Sequence, residues 1–148
     1  LHGFGIHRDR RLPSFSSKTF SAWARRKNSS VKSGVLSRKV ALFYTCYVNY
    51  NDPGIGKAAV EVLEKNGIEV FYPDQVCCGM PYVDVGDLAS MQKKAEKNIQ
   101  SLKRAVDQGY DVVAVMPSCS LMLKKEYPAL LDNEEARQVA EHTYDLCE

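Results

Sequence analysis

The chain has 148 residues, 45% of them hydrophobic and 26% charged, with a formal net charge of +2. That is enough for one packed domain and a tail, and no apolar run approaches the roughly 20 residues that cross a bilayer as a helix. Five cysteines at wide spacings also exclude a dense, even-numbered disulfide scaffold, so a reducing cytoplasmic setting is expected.

The net charge hides an asymmetry. Residues 1–39 carry ten Lys/Arg against Asp9 alone, whereas 40–148 carry ten basic and seventeen acidic residues. Residues 1–38 have little apolar alternation and read as a basic, extended or partly helical leader. Within it, Phe20, Trp23 and Ala24 share one face of a short helix expected from near Ser17, with Arg25–Lys27 in its last turn, where cations favour the helix dipole. A basic leader on an acidic body suggests docking to an acidic surface or a solvated linker.

From Lys39 the pattern changes. Val40–Tyr44 is a β-rich apolar run ending at Thr45-Cys46, and after a polar turn Ile55–Asn66 predicts a helix with Ile55, Ala59, Val62 and Leu63 inward and Gly67 as its stop. Ile68–Tyr72 is a second strand, ended by Pro73 and followed by the loop Cys77-Cys78-Gly79-Met80-Pro81. Leu88–Val106 is a long amphipathic helix with Leu88, Met91, Ala95, Ile99, Leu102 and Val106 as its stripe. Asp111–Met116 is the third strand, stopped by Pro117. Cys119–Tyr127 and Glu134–Cys147 predict two further helices. Strands alternating with helices imply a parallel sheet with right-handed crossovers, a three-layer, Rossmann-like α/β fold, and ligands in such sheets lie off the carboxyl ends of the strands.

Cys46, the Cys77/Cys78 doublet and Cys119 all follow strand ends. Neighbouring cysteines make a poor disulfide, because their Cα atoms lie about 3.8 Å apart against the roughly 4.4–6.8 Å of a relaxed bridge. Structural zinc usually takes Cys-x-x-Cys knuckles, absent here. A doublet that points its sulfurs apart is awkward around one ion and natural around a cluster of several irons, which Cys thiolates hold. Gly54-Ile55-Gly56 reads as a turn and helix start, His2, His7 and His142 as surface residues, and Cys147 as a packed or terminal thiol. Tyr47 and Tyr50 either line the cysteine loop or simply pack. No complete substrate-converting site is evident.

Thr45-Cys46-Tyr47-Val48-Asn49-Tyr50-Asn51, Cys77-Cys78-Gly79 and Ser118-Cys119-Ser120 together resemble the cysteine-rich CCG domain, the family of the B-type component of heterodisulfide reductase and of iron–sulfur proteins of glycolate and lactate oxidation. Cys46–Asn51 and Gly5–Arg8 look most like its branch in anaerobic glycerol-3-phosphate dehydrogenase. The resemblance implies a CCG domain at 39–148 behind the leader 1–38, with Cys46, Cys77, Cys78 and Cys119 as ligands of an iron–sulfur cluster of the 4Fe–4S kind. It implies electron transfer from a flavin dehydrogenase subunit towards a membrane quinone or anchor subunit, on the cytoplasmic face of the inner membrane, with peripheral contact through the leader and no nucleic acid. The family pattern ends in Cys-x-x-Cys, where this chain has Met122. One copy of a domain that usually occurs twice, with no initiator Met, is expected of a fragment of a longer subunit. A thiol–disulfide reductase subunit and a non-redox zinc or docking module are the alternatives.

Overall fold

The computed structural model describes residues 5, 7, 9–10, 13–28 and 38–148; Ile6 and Arg8 of the Gly5–Arg8 likeness, and His2, lie outside the described residues. Four strands, β1 (Arg38–Phe43), β2 (Ile68–Phe71), β3 (Asp111–Ala114) and β4 (Thr143–Asp145), form one sheet in the order β2-β1-β3-β4. Every neighbouring pair is parallel, with Val40 opposite both Val70 and Asp111, and Val112 opposite Thr143. Because side chains alternate along a strand, Val40 and Leu42 of β1 and Val113 of β3 enter one core. Phe43, Val112 and Ala114 enter the other.

Helices cover both faces, giving the expected three layers. On the first face lie α1 (Phe20–Asn28), α2 (Cys46–Tyr50) and α3 (Pro53–Lys65), which contribute Phe20, Ala24, Val48, Ala59, Val60 and Leu63. A short α4 (Met80–Asp84) follows the cysteine doublet. On the second face lie α5 (Leu88–Asp107), α6 (Pro117–Leu121), a π-helical turn (Met122–Glu126), α7 (Tyr127–Leu131) and α8 (Glu134–Glu141). Met91, Ala95, Ile99, Leu102, Met122, Leu123, Tyr127, Ala136 and Val139 fill that side. Among the described residues no helix is long and apolar enough to cross a membrane.

Three expectations are corrected. The inward stripe of α3 runs Gly56, Ala59, Val60, Leu63, while Ile55 and Val62 face solvent at 38% and 57% exposure. Pro53 at the first position and the Asp52 cap on the Gly54 amide start the helix two residues early and set that phase. In α5 the buried stripe is Met91, Ala95, Asn98, Ile99, Leu102 and Ala105, with Val106 half-buried against the same core as expected and Leu88 exposed. The final predicted helix ends at Glu141, and Thr143–Asp145 adds to the sheet instead. There the Val112 amide donates to the His142 carbonyl and the Leu146 amide to the Ala114 carbonyl. Pairing there gives partners to backbone groups that β3 would otherwise leave open at the sheet edge.

Helix α1, on the leader side of residue 38, belongs to the same packed body. It begins at Phe20, with the Thr19 hydroxyl accepting from the Ala22 amide. Phe20 is fully buried, its ring 5.0 Å from that of Tyr44. Gly56 makes room for it: a Cβ there would lie 2.7 Å from both Phe20 and Val48. Lys27 pairs with Glu64 at 2.6 Å and sits over the Trp23 ring.

Candidate functional site

β1 sits between β2 and β3, so the chain leaves β1 towards one side of the sheet for β2 and returns past it to β3. Beyond the carboxyl ends of β1 and β3 this reversal opens the crevice in which parallel α/β sheets hold ligands. Cys46 begins α2 just past β1, Cys77 and Cys78 lie in the loop after β2, and Cys119 lies in α6 just past β3.

The four sulfurs meet as two couples. Cys46 and Cys77 Sγ are 3.9 Å apart, and Cys78 and Cys119 Sγ are 3.2 Å apart. The first couple is open to solvent at Cys46 and half-buried at Cys77; the second is buried, at 3% and 5% exposure. The doublet therefore splits, each member pairing with a sulfur from a different strand end. Among the described residues, no three Cys, His, Asp or Glu side chains are gathered so as to hold one metal ion.

Within each couple one sulfur accepts and the other keeps its proton. The hydrogen bond with Cys46, and after it the one with Cys78, lowers the Cys77 thiol strongly, helped by the Gly79 amide and Lys94. Cys46 is raised by the same bond and by burial. Cys119 is lowered by its bond with Cys78, and Cys78 is raised by that bond, by Cys77 and by burial.

Local backbone explains the arrangement. Thr45 has φ +60° and ψ 159°, a region that costs a residue with a Cβ roughly 1–3 kcal/mol. Its hydroxyl accepts from the Val48 amide and starts α2, turning the chain sharply enough to present Cys46. Gly79, at φ +92°, ends the doublet loop, and a Cβ there would lie 3.2 Å from Met91 Cγ. Helix α2 is also held from the leader side: Asn49 Oδ1 accepts from the Ser21 amide at 2.8 Å, and the Tyr50 carbonyl accepts from the Ser16 amide at 2.7 Å.

Two positioning residues escaped the sequence reading. Asn98 is fully buried on α5; its Oδ1 accepts from the Val76 amide, and its Nδ2 faces the carbonyls of Val76 and Cys77, both at 3.3 Å. Nδ2 also donates to the Tyr127 hydroxyl at 2.9 Å, and that hydroxyl donates to the Cys78 carbonyl at 2.9 Å. The signal was present as a polar residue on an apolar stripe, three past Ala95 and four before Leu102. A buried polar group of this kind has a partner.

Met122, at the place of the last family cysteine, is fully buried and packs in the same core as Cys78 and Cys119. Cys147 follows β4 and is exposed. Tyr47 and Tyr50 are 44% and 51% exposed; Tyr50 lines a hollow of about 50 Å³ beside Cys46 and Cys77, Tyr47 does not. His7 is exposed, and His142, also exposed, bonds Asp111 where β3 begins, away from the thiols.

Parallel α/β layers with thiols gathered beyond the strand ends define the class as a cysteine-bearing three-layer α/β domain, and sequence comparison gives its family. The model described as the cysteine-rich CCG domain matches residues 40–124. This chain belongs to that family. It is 35% identical over 136 residues to the C subunit of anaerobic glycerol-3-phosphate dehydrogenase from Escherichia coli (strain K12), covering 89% of this chain and 34% of that protein. It is 37% identical over 114 residues to lactate utilization protein A of Bacillus subtilis (strain 168), covering 73% and 46%. The B subunit of fumarate reductase (CoM/CoB) from Methanothermobacter marburgensis is 38% identical over 92 residues, covering 61% and 18%. The chain thus spans less than half the length of these relatives. No solved structure matches it significantly.

Proposed function

We propose that Cys46, Cys77, Cys78 and Cys119 hold an iron–sulfur cluster of the 4Fe–4S kind, and that the domain relays electrons within a larger respiratory oxidoreductase. The observation that carries this reading is the meeting of four thiols from three strand ends at the sheet's reversal point. The donor set fits: four sulfurs brought together from three strand ends, two of them favoured as thiolates.

A bound cluster would supply one-electron transfer. The chain's own residues bury Cys78 and Cys119, leave Cys46 towards solvent, and fix the backbone of the doublet through Asn98 and Tyr127. Burial and hydrogen bonding near the sulfurs are the levers by which protein sets a cluster's potential. The names of the relatives support partners of the dehydrogenase kind. We take the electron donor to be a flavin subunit oxidising glycerol 3-phosphate or a 2-hydroxy acid, and the acceptor a membrane quinone or anchor subunit. The site of action is then peripheral, on the cytoplasmic face of the inner membrane.

Anaerobic reconstitution with iron and sulfide tests the reading. Brown charge-transfer absorption with near-equal iron and sulfide is expected, and its loss in Cys77→Ser or Cys78→Ser. Colourless protein that retains zinc instead would overturn it. The exposed Cys46 beside Cys77 also favours a second reading, a thiol–disulfide reductase subunit. Turnover of an added disulfide by the isolated chain would select that one.

A further inference from the structure

Cys46 and Cys77 come from loops after different strands, as do Cys78 and Cys119, so no chain neighbour blocks either pairing in the metal-free protein. Rotation about the Cα–Cβ bonds is needed to bring sulfurs from 3.9 Å or 3.2 Å to the bonding distance of about 2.0 Å. The doublet cannot close on itself as readily, because adjacent Cα atoms stay about 3.8 Å apart. The couples also differ in access. Cys46 and Cys77 open on the small hollow lined by Thr45, Tyr50 and Gln75, while Cys78 and Cys119 are buried in the core cluster that also holds Met91 and Tyr127.

We infer that the cluster-free chain is a two-stage thiol store: a small-molecule disulfide oxidises the outer couple Cys46/Cys77 first and the inner couple Cys78/Cys119 later, and metal is taken up only after both are reduced. The clause about metal rests on the cluster reading; the pairing and its order do not. In the first stage the Cys77 sulfur, which also lines the hollow, attacks oxidised glutathione, breaking its S–S bond and releasing one glutathione as thiol. The Cys46 sulfur then gives up its proton and attacks the mixed disulfide at Cys77, releasing the second glutathione. Two protein thiols have lost two electrons and two protons, and one oxidised glutathione has become two reduced molecules. The inner couple follows by the same exchange, slowed by the access of its sulfurs, since thiol exchange depends on reach as well as on thiolate character.

The test uses the whole chain, made metal-free with a chelator and a dithiol under argon, then exposed to oxidised glutathione and sampled over time by alkylation and peptide mass mapping. A Cys46–Cys77 bridge is expected first, Cys78–Cys119 roughly tenfold slower or more, and only a glutathione adduct on the exposed Cys147. In Cys77→Ser the outer bridge should vanish while the inner one still forms, which also reports that the variant is folded. A Cys77–Cys78 bridge, an inner couple that closes first, or glutathione adducts on all five cysteines would overturn the pairing. Oxidised chain that binds iron as well as reduced chain overturns the gating. If reduced chain binds no iron while both bridges form in order, the cluster reading falls and the thiol store stands.

Discussion

The Tyr127 hydroxyl donates to the carbonyl of Cys78 at 2.9 Å, across the interface between α7 and the doublet loop, and both residues are buried. With Asn98 it forms a polar clamp on three consecutive loop residues, Val76, Cys77 and Cys78. Secondary structure leaves these loop peptide groups to side chains, so the fold meets their hydrogen-bonding needs with an amide and a phenol drawn from two helices.

Removing either member should therefore cost more than one surface hydrogen bond. Tyr127→Phe strips a partner from the Cys78 carbonyl and from Asn98, with an expected loss of about 1–3 kcal/mol. Asn98→Leu also orphans the Val76 amide and should cost more. Urea denaturation of the metal-free chain measures both. In reconstituted protein, Tyr127→Phe should shift the reduction potential while Cys-bound iron stays stoichiometric; an unshifted potential would mean the clamp is purely structural.

Gly56 should tolerate no Cβ. Gly56→Ala drives a methyl to within 2.7 Å of Phe20 and Val48, an overpacking expected to cost about 1–3 kcal/mol despite the better helix propensity of Ala. Because Val48 lies in α2, the shift should also reach Cys46. Val62→Ala, on the exposed face of the same helix, is expected to stay within about 0.5 kcal/mol of wild type. Thermal unfolding followed by circular dichroism separates the two.

At Thr45 two effects oppose. Thr45→Gly relieves a strained φ worth about 1–3 kcal/mol but loses a cap worth about 1 kcal/mol, so the net change should be near zero or stabilising. Thr45→Ala keeps the strain and loses the cap, and should be destabilising by about 1 kcal/mol. An Ala variant more stable than the Gly variant would show that the turn is not strained.

Cys147 provides the control for the cluster ligands. It is exposed beyond β4, and its amide is bonded to Asp145. Cys147→Ser should leave iron and sulfide content unchanged. Serine at Cys46, Cys77, Cys78 or Cys119 should lower it, most sharply at the buried Cys78 and Cys119, where a new hydroxyl also has to be satisfied. Iron and sulfide assays after desalting decide this.

Strand-ending motifs were legible because apolar runs such as Val40–Tyr44 and Val112–Met116 are bounded by cysteines and prolines, and a buried parallel strand has few other signatures. The parallel sheet and the convergence of Cys46, Cys77, Cys78 and Cys119 on one edge follow from that order alone. The phase of α3 was misread because Ile55 and Val62 are apolar yet outward, whereas the inward Gly56 has no side chain by which to announce itself.

Amino-acid order thus determined the class of fold, the family and the set of thiols, since each depends on local periodicity and on residue type. Which thiol faces which, that a fourth strand replaces the end of the last helix, and that Asn98 and Tyr127 grip the doublet were decided by tertiary packing. Those outcomes depend on which backbone groups and side chains are left unsatisfied once the layers close, and distant segments settle that only when they meet.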